Sequence, residues 1–155
     1  MRRNGKLFVA LHALVHLDRH GGLPMTSEAI AGCLSTNPVV IRRTLGELRR
    51  GGILKAERGH GGGWTLGQPA EAITLRDVCA ALGEALVEPL QADPEHPGCA
   101  VVGSLAGSFG DVLVEVRTLL NERLSRITLA DLSADVSTRA ALGGYTLPEV
   151  ITRGS

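Results

Sequence analysis

Aromatic side chains are scarce, with two Phe, one Trp and one Tyr in 155 residues. Any core must therefore be assembled from Leu, Val, Ile and Ala. Cysteine is sparse too. Cys33, Cys79 and Cys99 contain no C-x-x-C pair, and an odd number of widely spaced thiols fits neither a disulfide framework nor a paired-cysteine metal site. Lysine stands only at positions 6 and 55, and neither closes a G-x-x-x-x-G-K phosphate loop. No G-x-G-x-x-G and no H-E-x-x-H occur. No apolar run approaches the roughly 18 residues of a membrane span.

Hydrophobic residues make up 44% of the chain and charged residues 21%, a globular balance that excludes a disordered polyampholyte. The length suits one domain of ordinary size with a long appendage. Formal net charge is zero, but its distribution is not even. Residues 1–65 hold ten Lys/Arg against four Asp/Glu, a net +6, and the remainder holds six against twelve, a net −6. Such asymmetry points to a nucleic-acid or membrane contact in the basic half. Arg2-Arg3 before the apolar stretch Leu7 to Leu17 imitates a secretion signal, but His12 and His16 interrupt it and Asp18-Arg19-His20 follows where small residues belong. A cytoplasmic location is the expectation.

The periodicity predicts a mainly α fold with a small β-hairpin. Leu7 to Leu17 reads as a helix with Phe8, Leu11 and Val15 as its apolar stripe, ended by Gly21-Gly22. A short helix begins with Thr26 or Ser27 as N-cap and Glu28 in its first turn. Asn37-Pro38 opens a third, because Asn caps well and Pro suits the first helical position. That third helix buries Ile41, Thr44, Leu45 and Leu48 and leaves Val39, Arg42, Arg43, Gly46, Arg49 and Arg50 outside. Ile53 to Ala56 and Trp64 to Leu66 read as strands around a glycine-rich tip. A helix-turn-helix followed by a hairpin is the winged-helix plan.

Thr74 to Asp77 predicts a capping box opening a helix over Leu75, Val78, Cys79 and Leu82, with Pro89 ending it. A long helix is expected from Ser104 to Ile127. Leu105, Phe109, Val112, Val116 and Leu119 alternate four and three residues apart as a heptad seam, and Leu113, Leu120, Leu124 and Ile127 form a second row. One helix cannot bury both rows on a small domain, so Leu105, Phe109, Val112, Val116, Leu119 and Leu120 are expected at a dimer interface. The expected organisation is a DNA-binding domain over 1–88, a loop and sensor segment over 89–103, the dimerisation helix and a short following helix over 104–135, and a flexible tail over 136–155. No internal repeat is evident. His60-Gly61-Gly62-Gly63 imitates the oxyanion loop of some esterases, but no G-x-S-x-G nucleophile accompanies it. No enzyme site can be assembled.

The stretch from Thr36 through Leu54, then Arg58 to Leu66, Ile73-Thr74-Leu75, and Ile127 to Leu132 together resemble the Rrf2 family of bacterial transcription regulators, over roughly residues 1–135. That family includes repressors responding to iron–sulfur status, nitric oxide and cysteine supply. The resemblance implies a homodimeric winged-helix repressor bound to a pseudo-palindromic operator in double-stranded DNA. The helix from Asn37 would enter the major groove with Val39, Arg42 and Arg43 at base edges, favouring G·C pairs. Arg49 and Arg50 would meet phosphates. Arg58, Gly59, His60 and Gly61 would form a wing in a narrow minor groove. Thr26, Ser27 and Thr36 are candidates for phosphate contacts or for capping alone.

Cluster-binding members carry three closely spaced cysteines before the long helix. Here that segment holds Cys99 alone, and Val102 stands three residues later. No cofactor and no metal are expected, and no effector is assigned. Cys99, three residues after His96 and before a helix, is a candidate redox sensor, and Cys33 a second; Cys79 reads as packing. The alternative from another class is a dimeric protein–protein interaction module with weak DNA binding.

Overall fold

A computed structural model describes residues 5–88 and 98–143. His96, with Asp93 and Glu95, and the expected stop at Pro89 lie outside the described residues.

The architecture is a winged helix-turn-helix carrying one long helix. In chain order it runs α1 (Gly5–Arg19), α2 (Ser27–Leu34), α3 (Pro38–Arg50), β1 (Leu54–Glu57), β2 (Gly63–Leu66), a 3-10 turn (Ala70–Ala72), α4 (Leu75–Leu82), α5 (Ala100–Leu124) and α6 (Leu129–Ala141). Local chemistry explains the boundaries. The Thr26 side chain accepts the Ala29 amide, and Asn37 Oδ1 accepts the Val39 amide at 2.8 Å. Between those helices Ser35 takes the left-handed conformation at φ 50°, so that its own amide and that of Thr36 return to the last turn of α2.

The core gathers α1 to α4 around Leu14, Ile30, Ile41, Leu45 and Leu48, each fully buried. In α1 the buried face differs from the expected Phe8–Leu11–Val15 stripe. Ala10, Ala13, Leu14 and Leu17 are buried, Leu11 and Val15 are half-buried, and Phe8 is 69% exposed. The reason is packing from several sides. α1 is enclosed by α3, α4 and α6, and two alanines let those helices approach closely, whereas Phe8, in the first turn of α1, meets only the edge of the His12 ring among the described aromatic partners.

Antiparallel pairing sets Leu54 opposite Leu66 and Glu57 opposite Gly63. The hairpin is also fastened to the body of the domain. Met25 and Trp64 exchange two backbone hydrogen bonds, of 3.0 and 2.8 Å. Gly63 makes this possible, because a Cβ there would lie 2.6 Å from the Met25 carbonyl oxygen.

Several expectations about the second half are corrected. α4 stops at Gly83, which takes φ 63°, six residues before Pro89. α5 starts at Ala100 instead of Ser104, so Cys99 is its N-cap residue and positions 100–103 are helical, not loop. α6 extends to Ala141 and includes Arg139, so the segment expected to be a free tail from 136 is helical as far as 141. Nor does α6 form a unit with α5. It folds back on α1 and the 3-10 turn, with Leu129 buried and Arg19 donating to Ser137 Oγ at 2.6 Å.

That return is anchored by a short internal repeat, where none is expected. Ile73-Thr-Leu-Arg-Asp77 and Ile127-Thr-Leu-Ala-Asp131 are the same pattern, and both form complete capping boxes. They meet antiparallel at Thr74 and Thr128, Leu75 donating to the Ile127 carbonyl at 2.9 Å and Leu129 to the Ile73 carbonyl at 2.8 Å. The Thr128 bonds hold the Asp131 carboxyl below its ordinary range.

Candidate nucleic-acid interface

α3 displays the division of faces that its spacing predicts. Ile41, Thr44, Leu45 and Leu48 are buried, and Val39, Arg42, Arg43, Arg49 and Arg50 are exposed. Its N-terminal turn begins at the exposed cap Asn37, whose side-chain oxygen is occupied by the Val39 amide. Thr36 is half-buried behind it, and Thr26 caps α2 from an exposed position. Val39 is 65% exposed and is of the apolar kind that can contact a thymine methyl.

Of these arginines, Arg42 is held by a neighbour. Its guanidinium pairs with the Glu28 carboxylate on α2. Arg43, Arg49, Arg50 and Arg58 form no ion pair with any described residue. Glu47, also on α3, is turned away from this surface, its carboxylate meeting Lys6 Nζ at 2.5 Å. The outward face therefore remains strongly positive, as phosphate contact requires.

Beyond α3, the hairpin presents Arg58 and His60 on an exposed tip. Gly59 and Gly61 take φ of 99° and 81°, which side-chain-bearing residues rarely adopt, and the Gly62 amide closes the turn on the Gly59 carbonyl at 3.1 Å. A tip without side chains at both glycines offers a narrow edge for a minor groove.

Ser27 is corrected. It is 5% exposed, and its Oγ accepts the Trp64 indole N–H at 2.9 Å. Its side chain joins the hairpin to α2 from inside the domain instead of pointing outward. Trp64, Met25 and Glu28 make contacts that helical spacing does not reveal. Each acts across elements distant in sequence, and helical periodicity carries no signal for such contacts.

The candidate thiols lie on three different elements. Cys33 is half-buried near the end of α2, Cys79 is buried on α4, and Cys99 is exposed at the start of α5. Burial, reinforced by the nearby Glu84 charge, pushes the Cys79 thiol up, away from the thiolate. On α5 the seam Leu105, Phe109, Val112, Val116 and Leu119 is 45–57% exposed. Leu120 is half-buried instead, facing the α4 end of its own subunit together with Leu124.

The model of the Rrf2 family, described as an iron-dependent transcriptional regulator, matches residues 4–135. The chain belongs to this family. It is 30% identical over 132 residues to YwnA of Bacillus subtilis (strain 168), covering 83% of this chain and 94% of that protein. Against the HTH-type transcriptional regulator CymR of the same organism it is 26% identical over 117 residues, covering 75% and 77%. The solved structure of CymR, titled the global cysteine regulator of B. subtilis, superposes with a TM-score of 0.67 at 24% identity, covering 87% of this chain and 98% of that one. The protein is thus a DNA-binding transcription regulator and not an enzyme.

Iron-dependence in the family description raises the question of a cluster. Iron–sulfur clusters are held by thiolates converging on one site. Among the described residues no three His, Cys, Asp or Glu side chains come together, and Cys79 is buried as a thiol on a separate helix from Cys33 and Cys99. The three thiols stand on separate elements and form no such group among the described residues. Among them, no helix is long and apolar enough to cross a membrane.

Proposed function

We propose that this Rrf2-family chain works in the cytoplasm as a homodimer that represses transcription by occupying a pseudo-palindromic operator, with neither cluster nor metal bound. The observation that carries the dimer is α5 itself: 25 residues with none buried in the subunit, and an apolar seam left open along one face. Exposed contiguous apolar surface of this kind marks an interaction site. Gly103, Gly107 and Gly110, each with open space where a Cβ would stand, cost the isolated helix about 1 kcal/mol apiece relative to alanine. A helix so constituted needs support from another surface. Two-fold pairing of α5 would present two copies of α3 to one face of DNA, separated by one helical turn or a multiple of it.

In this reading Arg42 and Arg43 read guanines, Val39 touches a thymine methyl, Arg49 and Arg50 anchor on phosphates, and Arg58 and His60 enter the minor groove. Glu28 holds the Arg42 fork in position for its base. The decisive experiment is selection of bound duplexes from a random pool at about 150 mM salt, where non-specific phosphate binding is weak. Protein purified without oxygen would be used, with its visible absorption recorded first. Enrichment of a palindrome with G·C steps in each half is the expected result. Sequence-indifferent binding would sink the operator reading in favour of an interaction module, and a brown protein would overturn the cluster-free one.

A further inference from the structure

The end of α4 and the connection after it face α5 across a cavity of about 200 Å³. Its apolar wall is made by Leu86, Val87, Leu120 and Leu124. Two opposite charges, Glu84 and Arg117, line the same space with the Asn121 amide. They form no ion pair with each other or with any other described residue. That volume holds several waters and is in the size class of a free amino acid.

The charges narrow the chemistry. A simple anion would meet Arg117 but be repelled by Glu84, and a simple cation would meet the reverse. A molecule carrying both signs satisfies both side chains, and the leucines and valine favour an aliphatic portion over a polar one. We propose that this cavity binds a free α-amino acid with an apolar side chain, its carboxylate on Arg117 and its ammonium on Glu84. The site is separate from the DNA-reading surface but mechanically joined to it. Leu82, the last residue of α4, accepts Lys6 Nζ at 2.8 Å through its carbonyl, and the same ammonium meets Glu47 of α3 at 2.5 Å. Gly51, which caps α3, lies so near α4 that a Cβ there would stand 2.6 Å from Ala81 Cβ. With no slack between them, a displacement of α4 by an occupant of the cavity is passed to α3.

The test uses the full chain, with thermal shift and calorimetry against L-leucine, L-methionine and L-phenylalanine. The leucine analogues 4-methylpentanoate, which lacks the ammonium, and 3-methylbutylamine, which lacks the carboxylate, serve as probes of each charge. Saturable binding of at least one amino acid is expected, with both analogues of leucine about tenfold or more weaker than leucine, and with Arg117→Ala and Glu84→Gln each removing binding. No binding of any of the three amino acids up to about 10 mM, or an analogue as tight as leucine, would overturn the proposal. Operator affinity is measured in the same samples with and without amino acid, so failure to bind DNA is distinguished from failure to bind ligand. The bound amino acid should change operator affinity about fivefold or more. Lys6→Met should keep ligand binding but lose that change; a change that persists in this variant would overturn the role of the Lys6 link.

Discussion

α3 and α5 are both amphipathic, yet they use opposite faces. In α3 the apolar face is consumed by its own subunit, with Ile41, Leu45 and Leu48 fully buried, and the exposed remainder is basic. In α5 no residue is buried, and the exposed seam is apolar. The row containing Leu113, Leu120 and Leu124 is half-buried, so one apolar face of α5 leans on its own chain and the other does not. Regular helix geometry is the same in both cases. What differs is whether other elements of the same chain cover the apolar face, and that decides whether the helix offers charge or hydrocarbon to the outside.

The contrast can be broken most forcefully at matched leucines. Leu45→Ala, in the buried stripe of α3, should cost about 2–5 kcal/mol in denaturant unfolding. Leu119→Ala, on the open seam, should change the stability of an isolated subunit by no more than about 0.5 kcal/mol. Its effect should appear instead in the monomer–dimer equilibrium measured by sedimentation. Equal losses in subunit stability from both would show that α5 is not an unpartnered helix. Next in size, Arg42→Ala should leave unfolding unchanged and cost about 1–3 kcal/mol of discrimination against a mismatched operator. Glu28→Gln sharpens the same point: specific discrimination should fall while non-specific affinity rises, because the variant frees Arg42 and removes an acid beside the phosphates. Parallel changes in both affinities would remove Glu28 from the positioning of Arg42.

An effect of similar size, but on stability instead of recognition, is expected where α2 meets the hairpin. Ser27→Ala leaves the Trp64 indole N–H without its partner, for a loss of about 1–3 kcal/mol in stability. The salt slope of DNA binding should stay unchanged, since Ser27 is buried. By contrast Arg50→Ala should reduce that slope by about one, with little change in specificity.

The least direct contrast lies within α1. His12 and His16 stack at 5.0 Å between ring centroids. Burial lowers the pKa of both, and the charges of His12 and Arg19 lower His16 further. Their folded values thus lie below the ordinary value of about 6.5, so between the two the unfolded chain binds more protons. Stability is therefore highest above about pH 6.5 and declines as pH falls through the lowered folded values. Denaturant midpoints at descending pH should show this decline, and His16→Leu should reduce it; an unaltered pH dependence in the variant would assign the decline to other groups.

Much of this was legible locally. The Asn37-Pro38 start, the buried stripe of α3, the two glycines of the turn at 59 and 61, and the Thr74–Asp77 capping box all rest on interactions within a few residues. The exposed seam of α5 was legible too, because its spacing exceeds what a small domain can cover. The errors have a common character. Local periodicity puts Phe8 inside and Ser27 outside, does not link the two Ile-Thr-Leu-x-Asp segments, and makes α6 a short coda to α5. Each depends on which distant element arrives beside it.

Composition and spacing by themselves determined that this chain would form basic and apolar helical faces in a winged-helix order, because caps, turns and helical periodicity act over one or two turns of chain. Only the tertiary structure decided which faces stayed open. The Met25–Trp64 pairing sets the wing, the bridge between Thr74 and Thr128 brings α6 back onto α1, and Lys6 ties the end of α4 to α3. Those contacts join residues 39, 54 and 76 positions apart, a separation at which chain closure and packing, not local preference, select the partner.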